Sequence, residues 1–392
     1  MYISDLSLHD FRSYRELVLH CEPGITAFVG ENGQGKTNII EGIEYLSTFS
    51  SHRVSSVSAL VRQGAEAAVI RARVNNDERT ALLDLEIYSG RANRARLNRG
   101  QVRPAEILGI IRTVVFAPED LALVTGDPAT RRKFLDTLMI QIRPKMRAIK
   151  ADYEKVLRQR AALLKTLGKQ RRRGQNIDTA MLDVWDSKLV DLGSQIIAAR
   201  SRIVADLQPH IEHYYHAVSG AHARAKIEYE ANVTAEKNMQ TSSSSLDVRE
   251  IEEIKEVFIA AVRNARRREI DSGLNLVGPH RDELLLNLGS LPAKGYASHG
   301  ESWSYALALK LASWQVLRTS EWLAWSDGDE PILILDDVFA ELDSRRRDRL
   351  VDIIRPAQQV FITAAVGDDL PAHLGAHCLY VHNGEVTPDA GK

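Results

Sequence analysis

The chain has 392 residues, of which 44% are hydrophobic, 26% charged and 6% aromatic, with 51 Lys and Arg against 52 Asp and Glu. This composition is typical of a well-packed α/β protein and excludes a chain that is disordered or fibrous over most of its length. No stretch approaches the roughly 18 consecutive apolar residues of a membrane span, and no secretory signal is visible. Cys21 and Cys378 are too few for a disulfide framework or a zinc site. We therefore predict a cytoplasmic protein of two or three domains with no membrane contact.

The first part of the chain, up to about residue 128, consists of predicted strands, turns and one helix. Alternating or continuous apolar residues predict strands at residues 2–8, 25–29, 67–74, 80–88 and 112–116. Three isoleucines and one leucine share a face of a helix predicted at residues 36–47. Residues 98–100 are predicted to form the tip of a hairpin.

From about residue 129 to residue 268, long polar stretches show helical spacing of apolar residues. Two long helices are predicted, with apolar faces formed by Tyr153, Val156, Leu157, Leu163, Leu164 and Leu167 in one and by Leu182, Trp185, Leu189, Leu192 and Ile196 in the other. A serine-rich loop is predicted at residues 241–245, and a capping box at residues 244–247 predicts the start of another helix. Strands return after Asn275, and the apolar run at residues 331–335 is typical of a buried parallel strand. The middle region is therefore predicted to be a helical insertion that splits an α/β domain.

Basic residues are concentrated in two segments although the net charge of the chain is −1. Residues 128–173 contain 15 Lys and Arg against three acidic residues, and residues 91–103 contain five arginines and no acid. Such clusters can attract a polyanion such as DNA. The alternative for each cluster is a solvated surface with no partner.

A glycine-rich motif follows the strand predicted at residues 25–29. The motif G-x-x-x-x-G-K-[ST] is matched at every position by Gly30, Glu31, Asn32, Gly33, Gln34, Gly35, Lys36 and Thr37. Glycines allow backbone N–H groups to close around a phosphate, and the following helix N-terminus adds positive charge. Lys36 is predicted to contact the β- and γ-phosphates, and the Thr37 hydroxyl is predicted to bind Mg²⁺. The sequence thus predicts a site for ATP and Mg²⁺.

Two carboxylates, Asp336 and Asp337, follow the strand predicted at residues 331–335. Ligands of open α/β sheets bind at the carboxyl ends of the strands, so both side chains can face a bound nucleotide. Asp336 is predicted to hold Mg²⁺, directly or through water, and Asp337 to orient or deprotonate the attacking water. The alternative is a pair of turn or capping aspartates before the next helix.

Upstream of this strand, the segment containing Ser298, His299, Gly300 and Glu301 opens an apolar-faced helix. It resembles the signature motif of ABC-type ATPase heads, which has a Ser-x-Gly-[Gln/Glu] core. In that superfamily the signature binds the γ-phosphate of ATP held by another subunit. The resemblance therefore implies that Ser298, Gly300 and Glu301 contact nucleotide bound by a second copy of the chain.

Several further segments resemble the RecF family. They are Phe11-Arg12-Ser13-Tyr14, Phe116-Ala117-Pro118-Glu119-Asp120-Leu121, Arg131-Arg132-Lys133-Phe134-Leu135-Asp136, Gly278-Pro279-His280-Arg281-Asp282, and Leu335-Asp336-Asp337-Val338-Phe339-Ala340-Glu341-Leu342-Asp343. The last segment resembles the family's acidic strand and D-loop. Two residues depart from the family pattern: His299 stands where glutamine is common in the signature, and Glu283 stands where a second aspartate is usual.

The resemblance implies an α/β fold, an ABC-type ATPase head with an antiparallel β subdomain, split by a helical second lobe. Residues 1–128 would carry the phosphate loop and the β subdomain, residues 129–270 the helical lobe, and residues 271–392 the signature, acidic strand and D-loop. ATP would drive formation of a homodimer, and slow, DNA-stimulated hydrolysis would release it. The family's role implies binding of single- and double-stranded DNA at gaps and junctions, where RecF helps RecO and RecR to load RecA.

Other assignments stay open on the sequence alone. A chromosome-structural ABC head would need a far longer coiled coil than residues 129–268 supply, and a transporter subunit would need an apolar docking groove in place of basic helices. His52 and Arg53 suit either a nucleotide or DNA contact or a surface loop. His280 and Arg281 suit either the site or ordinary capping contacts in a turn that contains proline. No metal-binding pattern of His and Cys is present, so no zinc is predicted.

Overall fold

The computed structural model describes residues 1–54, 56–76, 79–221, 224–234, 251–319 and 330–388. The strands are β1 Tyr2–Phe11, β2 Tyr14–His20, β3 Gly24–Val29, β4 Ala67–Asn76, β5 Arg79–Tyr88, β6 Arg94–Leu97, β7 Gly100–Val102, β8 Thr113–Phe116, β9 Ala225–Glu230, β10 Glu283–Leu288, β11 Leu291–Pro292, β12 Ile332–Asp336, β13 Gln359–Ala364, β14 His377–His382 and β15 Glu385–Pro388. The helices are α1 Lys36–Thr48, α2 Ala122–Thr125, α3 Pro128–Ile142, α4 Met146–Arg172, α5 Ala180–Ser219, α6 Ile251–Ser272, α7 Ala293–Tyr296, α8 His299–Thr319 and α9 Ser344–Ile354. The serine-rich loop and capping box predicted at residues 241–247 lie outside the described residues.

The chain divides into two units. The head unit comprises Met1–Ala122, His213–His222 and Ser298–Lys392, and the helical unit comprises Leu123–Glu212 and Ala223–Ala297. The boundary at Ala297 lies well beyond residue 270, where the predicted helical lobe ends. The reason is that β10 and β11 pair with β9 and therefore belong to the helical unit.

A six-stranded sheet organises the nucleotide-facing part of the head unit. Its order is β15-β14-β3-β13-β12-β8, and every pairing is parallel except that of β14 with β15. All residues of β12 and β13 are buried, and for β12 this confirms the prediction made from the apolar run at residues 331–335. The carboxyl ends of β3, β13 and β12 consequently lie side by side at one edge of the sheet.

A second, antiparallel sheet of the head unit has the order β2-β1-β4-β5-β6-β7. Helix α1 contacts β1 of this sheet and also β8, β12 and β13 of the parallel sheet. Ten of the 13 residues of α1 are buried, and its isoleucines join residues of both sheets in one apolar core. Burial on both sides fixes the helix, and with it the loop that precedes it.

The helical unit contains α3, α4, α6, most of α5 and a small sheet of order β11-β10-β9. Strand β9 lies inside the segment predicted to be helical, so that part of the prediction was wrong. The two long predicted helices are present as α4 and α5, which have 27 and 40 residues. No helix among the described residues is long and apolar enough to cross a membrane.

Candidate nucleotide site

The loop between β3 and α1 is held in place by close backbone packing. A Cβ atom at Gly30 would overlap the carbonyl oxygen of Val381 on β14, and one at Gly35 would stand 2.7 Å from the Tyr14 hydroxyl oxygen. Gly35 also has a φ of 113°, which disfavours other residues. The Gln34 side chain accepts a 2.6 Å hydrogen bond from the backbone N–H of Asn383. The two glycines are therefore required by space as well as by conformation.

Lys36 is almost fully buried beneath this loop. Its side-chain Nζ donates hydrogen bonds to the carbonyl oxygens of Gly30, at 2.5 Å, and Glu31, at 3.0 Å. The residue before α1 is Gly35, which supplies no side-chain cap, so the first N–H groups of the helix have no partner of that kind. Uncapped N–H groups and a nearby ammonium group form an anion site of the kind that binds phosphate. Glu31, Asn32 and Gly33 are exposed at its mouth.

Asp336, the last residue of β12, lies next to the first turn of α1. Its Oδ1 accepts hydrogen bonds from the hydroxyls of Thr37, at 3.0 Å, and Thr363 on β13, at 2.6 Å. Residues 37 and 336 are 299 positions apart in the chain, and the parallel pairings of β3 with β13 and of β13 with β12 bring them together. A carboxylate and a hydroxyl at this spacing are oxygen donors of the type that Mg²⁺ uses.

Asp337 follows at the edge of the sheet in an unusual conformation. Its φ is 50°, and its backbone N–H donates to Thr363 Oγ1 at 2.9 Å. Burial, followed by the charge of Asp336, raises the pKa of Asp337, while the charge of Lys36 acts in the opposite direction. The carboxyl group thus lies in an environment that favours proton uptake.

His52 is a member of this site that the sequence left undecided. Its Nδ1 lies 2.6 Å from Glu44 Oε2, and its Nε2 lies 3.4 Å from Asp336 Oδ2. Burial favours the neutral ring, but the contacts with Asp336 and Glu44 raise the pKa of His52 to about 10. A surface position for His52 is therefore wrong: the side chain is only 12% exposed. Arg53 remains 40% exposed.

The turn between β1 and β2 supports α1 from the other side. Arg12 forms a two-pronged ion pair with Glu41, with distances of 2.7 Å and 2.6 Å, and the carboxylate of Glu41 is fully buried. Ser13 accepts a 2.8 Å hydrogen bond from Asn38. The Phe11–Tyr14 motif, which stands out in the sequence, therefore anchors the phosphate-loop helix.

The signature segment forms a capping box at the start of α8. The Ser298 hydroxyl donates to Glu301 Oε2 at 2.7 Å, and the Ser298 backbone N–H donates to the same oxygen at 2.8 Å. These bonds lower the pKa of Glu301. His299 Nε2 accepts a 3.1 Å hydrogen bond from the indole N–H of Trp303. In the described part of the chain, no hydrogen bond or ion pair joins residues 298–301 to residues 30–37.

The two basic segments are partly consumed by internal contacts. Within the described part of the chain, side chains of the larger cluster that pair with carboxylates include Arg131, Lys150, Arg160 and Arg171. In the smaller cluster, Arg91 stacks 3.7 Å from the centre of the Tyr88 ring, and Arg96 and Arg103 pair with glutamates. Four exposed cations lie at helical spacing on α4 and form no such ion pair among the described residues; they are here called the basic stripe: Lys155, Arg158, Lys165 and Lys169.

Two motifs of the helical unit contact each other. Arg131 pairs with Glu283 through both side-chain nitrogens, at 2.7 Å and 3.0 Å, and Arg132 donates to the carbonyl oxygen of Asp282 at 2.8 Å. His280 accepts from the Tyr153 hydroxyl at 2.9 Å and faces the carbonyl oxygen of Asn275. Glu283 thus forms an ion pair with Arg131, and the contacts of His280 stabilise the turn in which it lies.

Comparison with known proteins shows the family of the chain. The family model described as the RecF/RecN/SMC N-terminal domain matches residues 2–370. An SMC head domain from Pyrococcus furiosus matches 98% of the chain with a TM-score of 0.53 at 16% identity, which establishes a shared fold. The chain thus has the fold of an SMC ATPase head.

Similarity over the full length narrows the class. "DNA replication and repair protein RecF" of Beutenbergia cavernae is 53% identical, with 98% of this chain and 99% of the relative covered. The RecF of Streptomyces avermitilis is 50% identical, with the same coverage. A solved structure of "the recombination mediator protein RecF-ATPrS in RecFOR pathway" has a TM-score of 0.86 at 26% identity and covers 99% of this chain and 98% of that one. The chain belongs to the RecF family.

Proposed function

We propose that this chain is an ATP-dependent DNA-binding protein of recombinational repair and replication. The observation that carries the proposal is the joining of Thr37 to Asp336 at 3.0 Å beside a buried Lys36, in a chain that aligns from end to end with RecF proteins. A solved neighbour is described as RecF-ATP in the RecFOR pathway, which supports ATP as the nucleotide. The site of action is the cytoplasm.

The loop residues 30–37 would hold the triphosphate of ATP. The N–H groups at the start of α1, which have no side-chain cap, would bind phosphate oxygens, and Lys36, which now donates to two carbonyl oxygens, would donate to the phosphates instead. Thr37 and Asp336 would hold Mg²⁺, because their oxygens already lie within 3.0 Å of each other. When bound, Mg²⁺ supplies neutralisation of phosphate charge.

Asp337 is the residue proposed to act on the attacking water. Its raised pKa favours a carboxylate that can take up a proton. The hydrogen bond from its backbone N–H to Thr363 fixes the residue beside Asp336. Asp336 and Asp337 thus divide the work, the first holding the cation site and the second orienting water.

The signature would serve a second copy of the chain. Among the described residues, Ser298, Gly300 and Glu301 form no hydrogen bond with the phosphate loop of their own chain. We infer that they complete the ATP site of a partner head. Bound ATP would then hold two heads together in a two-fold homodimer, and hydrolysis would let the dimer dissociate. Ser298 must then give up its bond to Glu301 to donate to the γ-phosphate.

The basic stripe on α4 is the proposed contact with DNA. Its four cations are exposed, and among the described residues none of them forms an ion pair with a carboxylate. Free cations at this spacing can neutralise phosphates along a strand. The proposal covers single- and double-stranded DNA at gaps, with RecO and RecR as the partners through which RecA is loaded. The placement of a solved neighbour in the RecFOR pathway supports these partners.

The architecture can be tested by sizing the protein with and without ATP. Lys36→Ala should abolish ATP binding, and Ser298→Arg should leave monomer ATP binding intact but block dimerisation and hydrolysis. Thr319→Arg, at the exposed C-terminal end of the same helix, adds an equal charge as the control. Loss of the Ser298 cap alone costs about 1 kcal/mol, which a melting curve measures separately.

Mixing the two defective variants sharpens this test. A mixed dimer pairs one intact phosphate loop with one intact signature, so partial ATPase activity should return. Ser298→Arg protein that dimerises and hydrolyses ATP normally would overturn the head-to-head arrangement. Normal nucleotide affinity in Lys36→Ala would overturn the assignment of the phosphate loop.

A further inference from the structure

The side chain of Arg346, in the first turn of α9, joins two segments of the head unit. Asp343, just before α9, accepts a 3.0 Å hydrogen bond from the Arg346 backbone N–H and a 2.9 Å bond from its guanidinium. The same guanidinium covers Gly300 of the signature. A Cβ atom at Gly300 would stand 2.7 Å and 3.0 Å from its two terminal nitrogens.

The glycine at position 300 is therefore explained by Arg346. Gly300 lies inside α8 and is not among the glycines with positive φ, so backbone conformation does not demand it there. Glycine is needed at position 300 because the Arg346 guanidinium occupies the space that a side chain at that position would fill. The charge of Arg346 also helps to lower the pKa of Glu301, after the larger effect of the hydrogen bonds from Ser298.

The Arg346 side chain has one hydrogen-bond donor that the described part of the head unit leaves unpaired. Its Nε is buried and has no hydrogen-bond partner among the described residues, although 25% of the side chain is exposed. A buried donor without a partner costs stability. The position of the guanidinium between Asp343 and Gly300 is kept in spite of that cost.

We propose that Arg346 is a positioning residue that fixes the signature turn to the D-loop, so that both reach a partner head in one register. The inference rests on the proposed function, in which both segments face the second copy. The proposal assigns Arg346 no contact with the nucleotide. Its guanidinium acts on the signature through Gly300 and Glu301 and on the D-loop through Asp343.

The bracing can be measured without nucleotide, by hydrogen exchange on the full chain. The N–H groups of Glu301 and Ser302 donate to Ser298, so their exchange reports whether the signature turn is held. Arg346→Ala should speed exchange at these two amides at least threefold. Arg345→Ala removes an exposed charge one residue earlier and should leave exchange unchanged. Equal exchange in the two variants would overturn the proposal.

The coupling to dimerisation is measured with ATP. Arg346→Ala should weaken ATP-dependent dimerisation about tenfold, the effect of losing a charge-assisted contact, while ATP affinity of the monomer stays within about twofold. Arg346→Lys keeps the positive charge but lacks the planar guanidinium group, so it should retain only part of the wild-type strength of dimerisation. Arg346→Ala protein that dimerises as the wild type does, or that loses ATP affinity in parallel, would overturn the coupling. A wild-type chain that never dimerises with ATP, but shows the exchange difference, would contradict the proposed dimer and leave the bracing established.

Discussion

His280 makes the stability of the helical unit depend on pH, and His280→Gln removes that dependence. The imidazole accepts from the Tyr153 hydroxyl at Nδ1 and faces the Asn275 carbonyl oxygen at Nε2. Burial lowers the pKa of His280 from 6.5 to about 4; the hydrogen bond with the Asn275 carbonyl opposes this decrease, and the positive charges of Arg281, Arg132 and Arg160 add to it. A second proton would have to displace the hydroxyl hydrogen that occupies Nδ1.

The sign and size of the effect follow from linkage. Between pH 6.5 and pH 4 the unfolded chain binds a proton at position 280 and the folded chain does not, so the folded state loses stability as the pH falls. One pKa unit corresponds to about 1.4 kcal/mol, so a decrease to pH 5 should cost about 2 kcal/mol. The contribution is fully present above pH 6.5.

Urea denaturation of the full chain at pH 7.5 and pH 5.0 measures this difference. The wild type should lose about 2 kcal/mol more than His280→Gln between the two pH values. His373→Gln, which alters a histidine whose side chain is 45% exposed, is the matched control and should behave as the wild type does. Equal pH dependence in the wild type and His280→Gln would refute the assignment of a neutral, buried imidazole.

Two further predictions concern the proposed function. Asp337→Asn should keep ATP binding but slow hydrolysis at least about 100-fold and leave a persistent dimer. Asparagine is chosen because it tolerates the positive φ of this position. Hydrolysis at the wild-type rate would refute the role of Asp337 in water activation. Charge reversal of Lys155, Arg158 and Lys165 should weaken DNA binding and lower the log–log salt slope by about 0.9 for each lost phosphate contact on duplex DNA. An unchanged slope would mean that the basic stripe is only a solvated surface. As a control, charge reversal of Arg171, which pairs with Asp271 at 3.1 Å, should change the slope less than reversal of a residue of the basic stripe does.

The phosphate loop and the strands around it could be predicted from the sequence because their determinants are local. The spacing of Gly30, Gly35 and Lys36 within eight residues encodes a backbone path, and the apolar residues 332–335 of β12 encode burial on both faces. The helix at residues 36–47 was predicted to within one residue of α1. Residues that are neighbours in the chain supply this information before any tertiary contact forms.

The remaining features depend on partners far away in the chain, which local patterns cannot select. Strand β9 was missed because its pairing partner, β10, begins more than 50 residues later. His52 was undecided because only the packing of α1 against β12 places Asp336 beside it. The pairing of Arg131 with Glu283, across 152 positions, turns a residue that was predicted as part of a DNA-binding cluster into an internal contact. The need for glycine at position 300 likewise arises only when α9 brings Arg346 against α8. The space available to a side chain is set by tertiary packing and not by neighbouring residues in the sequence.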